Sequence, residues 1–239
     1  KSYEVWALTV TNQSDRARDL TLTGYAEFTN HSNYEQDQVN LQYSLFITRT
    51  LFEKDRIIQQ IHGNLDALRE DEEVDDKKVT ERFFALAGGA VSSYCGDKDA
   101  FLGKYHGYGN PQGVISGDLG NITSYNENSC GALSCKVTLE PGGSRTVLFL
   151  LGMKSSAEAA AITDSYTDPA GQTRQEINAL KADWYAKLDH LKINTPDHAF
   201  NTMINTWNAY NCFITFVWSR AASFVYCGLR NGYGYRDTV

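Results

Sequence analysis

Apolar and polar residues alternate along the first two-thirds of the chain, and the last third changes to a helical rhythm. Trp6, Leu8 and Val10 interleave with Val5, Ala7 and Thr9, the period of a strand whose side chains point to opposite faces. Asn12 to Arg16 reads as a polar turn, after which Leu20, Leu22, Ala26 and Phe28 recur at period two around Gly24. Further β-type runs cover Val39 to Phe52 and Val79 to Ala87. Near residue 140 the pattern predicts a hairpin. Val137 and Leu139 lead into Glu140-Pro-Gly-Gly-Ser144, and Val147, Phe149 and Leu151 lead out. Many strands at short spacing, with polar turns and no helices between them, predict a sandwich of antiparallel sheets.

After Gly152 the rhythm changes. Ser155 to Ile162 is Ala-rich and predicts a short helix. Ile177, Leu180, Trp184, Leu188 and Leu191 recur at spacings of three and four, which puts them on one helical face. Thr195-Pro-Asp197 reads as a helix start with Thr195 as N-cap, and Phe200, Ile204, Trp207 and Asn211 follow at helical spacing. The expected organisation is multidomain, β then α. Residues 1–153 form an antiparallel β-sandwich whose N-terminal strands are expected to be missing, 154–195 a helical linker, and 196–239 the start of a truncated helical domain. One helix and a loop cannot bury their own apolar faces, so this last part needs more chain.

Composition narrows the function classes. Of the 239 residues 42% are apolar and 21% charged, which is ordinary for a globular protein. No run approaches the roughly 20 apolar residues a membrane helix requires. The formal charge of −7 argues against a nucleic-acid surface. The acidic cluster Glu70 to Asp76 reads as a solvated tip rather than a metal site, because a flexible acidic run offers no fixed convergence of oxygens. Five cysteines (Cys95, Cys130, Cys135, Cys212 and Cys227) show no zinc spacing and are expected to be free thiols in a reducing, cytoplasmic compartment. The sequons at Asn12, Asn30 and Asn121 then go unused. His31, His62, His106, His190 and His198 are scattered without metal spacing, and neither a metal nor an organic cofactor is expected. Tyr105 and Tyr108 are read as sandwich packing or interface.

The chemically suggestive stretch is Asn211 to Val239, where Arg220, Arg230 and Arg236 fall among Gly228, Gly232, Gly234 and the aromatics Trp218, Tyr226, Tyr233 and Tyr235. Arginine presents a planar fork suited to phosphate or paired sugar hydroxyls, and aromatic rings stack on pyranose faces. Asp237 beside Arg236 can accept two hydroxyl hydrogen bonds. The residues alone leave two readings open: a site for an anionic or sugar ligand, or a helix-end ion pair with ordinary core aromatics.

The run Trp218-Ser-Arg-Ala-Ala-Ser-Phe-Val-Tyr-Cys-Gly-Leu-Arg-Asn-Gly-Tyr-Gly-Tyr-Arg-Asp-Thr238 resembles the motif that opens the catalytic barrel of the inverting β-disaccharide phosphorylases, the family of cellobiose and chitobiose phosphorylases. Asp99-Ala-Phe-Leu-Gly-Lys-Tyr-His-Gly-Tyr-Gly-Asn-Pro111 is similar to a stretch of that family's N-terminal sandwich. The opening strand, Tyr25-Ala-Glu-Phe28 and Leu139-Glu-Pro-Gly142 agree in order. The resemblance implies that residues from 196 onward begin an (α/α)6 barrel. It implies that Arg220, Arg236 and Asp237 bind the donor-side sugar and that Arg230 binds inorganic phosphate. It places the general acid, an Asp, beyond Val239, so no catalytic residue is expected in this chain. A homodimer is implied too, with phosphate as co-substrate and a β-linked disaccharide or oligosaccharide as substrate. Family members differ at Cys227, Leu229 and Asn231. The fragment alone is expected to be inactive. Two other classes compete: a carbohydrate-binding or scaffolding sandwich, and a related hydrolase or transferase that uses water or a glucan as acceptor.

Overall fold

The computed structural model describes residues 2–28, 47–62 and 79–218. The part of the expected run from Val39 to Phe46 and the acidic cluster Glu70 to Asp76 lie outside them. The chain divides into two units, Lys1–Thr173 and Arg174–Val239.

The first unit carries the strands β1 (Tyr3–Thr11), β2 (Arg18–Glu27), β3 (Thr48–Glu53), β4 (Arg56–His62), β5 (Val79–Ala87), β6 (Ser93–Asp97), β7 (Ser129–Leu139) and β8 (Ser144–Gly152). They form a five-stranded sheet in the order β1-β8-β5-β4-β3 and a three-stranded sheet in the order β2-β7-β6. Every pairing between neighbours is antiparallel, so the expected antiparallel sandwich is present.

The expected hairpin at residue 140 is not a hairpin. β7 pairs with β2 and β6, whereas β8 pairs with β1 and β5, so Glu140 to Gly143 carries the chain from one sheet to the other. Asn12 to Ala17 makes the same passage between β1 and β2, and the two arches lie together. The Asn12 N–H donates to the Gly143 carbonyl and the Gly142 N–H to the Asn12 carbonyl, each at 2.9 Å. Pro and two glycines make a tight reversal in either case, and the destination of the following strand is set by non-local pairing.

Strand periodicity builds the layers. On β8, Val147 and Phe149 face the other sheet while Leu148 and Leu150 face outward, and all four are buried. β5 does the same, with Phe84 and Leu86 inward and Phe83 and Ala85 outward. An unbroken apolar run such as Val147 to Leu151 is the mark of a strand covered on both faces. The outer cover of the large sheet is α3 (Ser156–Ser165), through Ala159 and the following Tyr166. The small sheet has its own outer cover: an excursion between β6 and β7 that holds α1 (Lys98–Leu102) and α2 (Gln112–Ser116) and packs Phe101 and Leu119 on Cys95, Cys130 and Ala132. Gly24 of β2 lies so close to the Phe149 ring that an added Cβ would stand 2.4 Å from it.

The helix α4 (Pro169–Leu188) runs across the boundary between the units, and the expected helical face of Ile177, Leu180, Trp184 and Leu188 belongs to it; Leu191 lies past its end. In the second unit α5 (His198–Thr202) continues through a π-helical turn, Met203–Asn208, into α6 (Ala209–Trp218). The N-cap is Asp197 rather than Thr195: its carboxylate accepts from the N–H groups of Ala199 and Phe200 at 2.9 and 3.1 Å. Thr195 is held instead by Asn201, which accepts its N–H and donates to its carbonyl, both at 2.8 Å. Asn205 grips Ile193 in the same two-way manner at 2.8 Å. Two asparagines one helical turn apart thus clamp the incoming segment as a strand partner would. Only these few helices of the expected barrel fall among the described residues.

Candidate functional site

The residues expected to bind substrate and phosphate (Arg220, Arg230, Arg236 and Asp237) lie outside the described residues, as do Tyr226, Tyr233 and Tyr235. The helix that leads into them is α6, which ends at Trp218.

On the sandwich, the most developed polar cluster forms where the end of β2 meets the β6–β7 excursion. Glu27 accepts hydrogen bonds from Tyr108 at 2.5 Å, Lys98 at 3.0 Å and Tyr25 at 3.0 Å. The Lys98 ammonium also stands 5.5 Å from the centre of the Tyr108 ring. Behind the cluster Tyr25 stacks on the buried Phe101, with ring centres 4.5 Å apart. Partial burial raises the Glu27 carboxyl, but the bonds from Tyr108, Lys98 and Tyr25 outweigh it and hold the group below the usual range. Lys98 is raised, first by Tyr108 and then by Glu27. Burial is the main cause that raises Tyr25. The result is a charged carboxylate braced by two phenols and an ammonium.

The expectation that Tyr105 and Tyr108 pack into the sandwich is wrong. Tyr105 is wholly exposed and Tyr108 60% exposed. His106 serves the loop they sit on, with Nδ1 2.9 Å from the Asn110 carbonyl. Glu27 also lines a cleft of about 540 Å³ at the same end of the sandwich, together with Glu4, Arg82, Phe28, Leu151 and Met153.

Cys130 and Cys135, five residues apart on β7, point to opposite faces. Cys135 joins the core between the sheets, and Cys130 meets Cys95 of β6 in the outer layer. The Cys130 thiol donates to the Cys95 carbonyl at 3.5 Å. Contact between the two thiols lowers Cys95 and, with burial, raises Cys130. Both are buried free thiols, and Cys212 is an exposed one. Among the described residues no group of three or more His, Cys, Asp or Glu could hold a metal ion. No helix there is long and apolar enough to cross a membrane.

The Asn12 sequon is structurally engaged. Its amide nitrogen donates to the carbonyls of Arg16 and Leu139, both at 2.8 Å, and its oxygen accepts from the N–H and hydroxyl of Ser14 at 3.0 and 2.7 Å. That uses every hydrogen-bonding position of the side chain, so a glycan cannot attach there in the folded state.

Comparison with known proteins places the chain. It is 31% identical over 237 residues to an N,N'-diacetylchitobiose phosphorylase of Vibrio proteolyticus, covering 99% of this chain and 28% of that protein. The enzyme of the same description from Vibrio furnissii is 30% identical over 236 residues, again covering 28% of its length. A cyclic β-(1,2)-glucan synthase of Rhizobium meliloti is 30% identical over 235 residues, which is 97% of this chain and 8% of that protein. The chain therefore spans little more than a quarter of the phosphorylases it matches. Residues 183–239 match the catalytic domain of the glycosyl hydrolase 94 superfamily. Residues 1–169 match the glycosyl hydrolase 94 supersandwich domain, and with that match over most of its length the chain belongs to the glycosyl hydrolase 94 family.

Proposed function

We propose that the protein carrying this chain is an inverting glycoside phosphorylase. It cleaves a β-linked disaccharide or short oligosaccharide with inorganic phosphate and releases an α-sugar 1-phosphate and a shortened sugar. The observation that carries the reading is the run from Trp218 to Thr238, which lies in the catalytic-domain match and holds the three arginines and Asp237 in the order of the phosphorylase motif. The similarity to two chitobiose phosphorylases along almost the whole chain supports it.

In this mechanism a phosphate oxygen attacks the anomeric carbon from the face opposite the glycosidic bond. That bond breaks, and the departing oxygen takes a proton from an acid beyond Val239. Phosphate holds the position that water holds in an inverting hydrolase. Arg230 neutralises and aims the incoming dianion, and Arg220, Arg236 and Asp237 hold the sugar that is transferred. The proposal takes the (α/α)6 barrel, the homodimer and the cytoplasmic location from the same resemblance, together with the absence of any cofactor besides phosphate as co-substrate. The assignment of 1–153 to the sandwich, 154–195 to a linker and 196–239 to the barrel belongs to it as well.

The likeness to a glucan synthase favours a second reading, a transferase that uses a glucan in place of phosphate. One assay separates the two. The full-length parent is offered chitobiose, cellobiose, laminaribiose or sophorose with and without phosphate. Phosphate-dependent release of sugar 1-phosphate, reduced at least about a hundredfold in Arg230→Ala, is the expected result, the scale typical of losing one electrostatic contact to the reacting group. Transfer or hydrolysis indifferent to phosphate overturns it.

A further inference from the structure

Two stretches that the catalytic reading does not use converge on the outer side of the small sheet: the end of β2 at Tyr25 to Glu27, and the excursion from Lys98 to Pro111. Their meeting point is the Glu27 carboxylate, which binds Tyr108, Lys98 and Tyr25. The loop above it has a fixed shape. Asn110 closes it twice, accepting the Gly107 N–H on its side chain at 3.1 Å and contacting His106 Nδ1 through its carbonyl at 2.9 Å. On this frame Tyr105 is held at φ 63°, with its ring entirely in solvent. A left-handed backbone is unfavourable for a bulky aromatic residue. The Tyr105 ring gains no burial in return, whereas Tyr108 is anchored by Glu27 and Lys98 with more than half its surface open.

Two rigidly presented tyrosines beside a carboxylate and an ammonium are complementary to a pyranose. The apolar face of the sugar lies on a ring, and neighbouring hydroxyls bond to charged groups. Glu27 accepts three bonds where a carboxylate has about four acceptor positions, and an ammonium has three donors, so capacity for hydroxyls remains. The cleft that Glu27 also lines gives room for a further sugar unit.

We propose that Tyr105 and Tyr108, with Glu27 and Lys98, form a saccharide-binding site on the sandwich, separate from the arginine motif, that takes a β-linked pyranose oligosaccharide. The choice of ligand rests on the saccharide-active reading of the protein. The test is equilibrium binding of chitotetraose and of cellotetraose to the full-length parent without phosphate, by calorimetry, for the wild type, Tyr105→Ala and Tyr105→Phe. The expected result is one class of bound oligosaccharide weakened about tenfold in Tyr105→Ala, the size of one lost aromatic contact, and retained in Tyr105→Phe, which keeps the ring. Equal binding by all three proteins overturns the proposal. So does a change in oligomeric state of Tyr105→Ala by light scattering with unchanged binding, which makes the loop a protein interface. Phosphorolysis by the wild type is measured in parallel, so a failure of the phosphorylase reading shows there and leaves the binding comparison interpretable.

Discussion

Asn12 is the clearest case of one side chain doing several structural jobs. It is only 6% exposed, sits where both arches cross between the sheets, and has every polar position of its side chain occupied. Replacement by Ala leaves the carbonyls of Leu139 and Arg16 without this partner, and the former lies in a buried setting. Asn12→Ala is therefore expected to cost about 2–4 kcal/mol, seen as a lower urea midpoint with little change in slope. Glu27 allows a test with a definite sign. Its carboxyl is held below the ordinary value of 4.5, so its contribution is present above that value and is lost as pH falls through the folded-state value. Its side chain is 42% exposed, so screening keeps the contribution of its ion pair under about 1 kcal/mol. Glu27→Gln is expected to lower the melting temperature slightly at pH 7. The gap should close by about pH 3, where both proteins carry a neutral group. A gap of constant size would assign the loss to shape instead of charge.

Among the elements, α3 depends on its first turn. Ser155 accepts from the N–H of Glu158, and Glu158 reaches back to the N–H of Ser155 at 3.1 Å, a reciprocal cap that also holds the Glu158 carboxyl down at about 2, with Lys154 as the leading cause. The same turn is tied to the sheet, because the Ser156 N–H donates to Glu81 of β5 at 2.8 Å. Ser155→Ala is expected to cost about 1 kcal/mol and to speed hydrogen exchange through Ser156–Ser165 before the strands beneath are affected. Residues around Ser155 announce this cap because capping is local. Strand identity was equally readable from period-two alternation at Leu20 to Phe28 and Val147 to Leu151. Sheet membership was not, since Glu140-Pro-Gly-Gly can close a hairpin or an arch and only the partners of β7 and β8 decide. For the same reason Glu27, Lys98 and Tyr108 gave no joint signal: about seventy residues of chain separate them, and the Tyr25–Phe101 stack brings them together. The arginine motif, by contrast, is contiguous and could be read directly.

At the scale of the whole molecule the two units differ in how far they satisfy themselves. The sandwich buries Phe83, Phe84, Ile57, Ile58 and Leu148 almost completely between and outside its sheets. In the second unit Ile177, Leu180, Trp184, Phe200, Met203 and Trp207 all remain exposed. Trp184 meets Phe213 edge-on at 5.2 Å, yet both rings stay open to water. Apolar residues spaced on helices in this way form a contiguous surface of the kind that binds dyes or other chains. The 239-residue chain on its own is therefore expected to bind 1-anilinonaphthalene-8-sulfonate and to associate with increasing concentration, unlike the full-length parent. Leu180→Glu with Trp207→Glu should suppress both effects, because one charge on each helix breaks the surface. On the proposed mechanism the same chain releases no sugar 1-phosphate from any of the four disaccharides, since the proton donor lies beyond Val239. Phosphorolysis by residues 1–239 alone would move the acid into this chain and overturn that assignment. A chain that neither binds dye nor associates would show that the second unit closes its apolar surface without help.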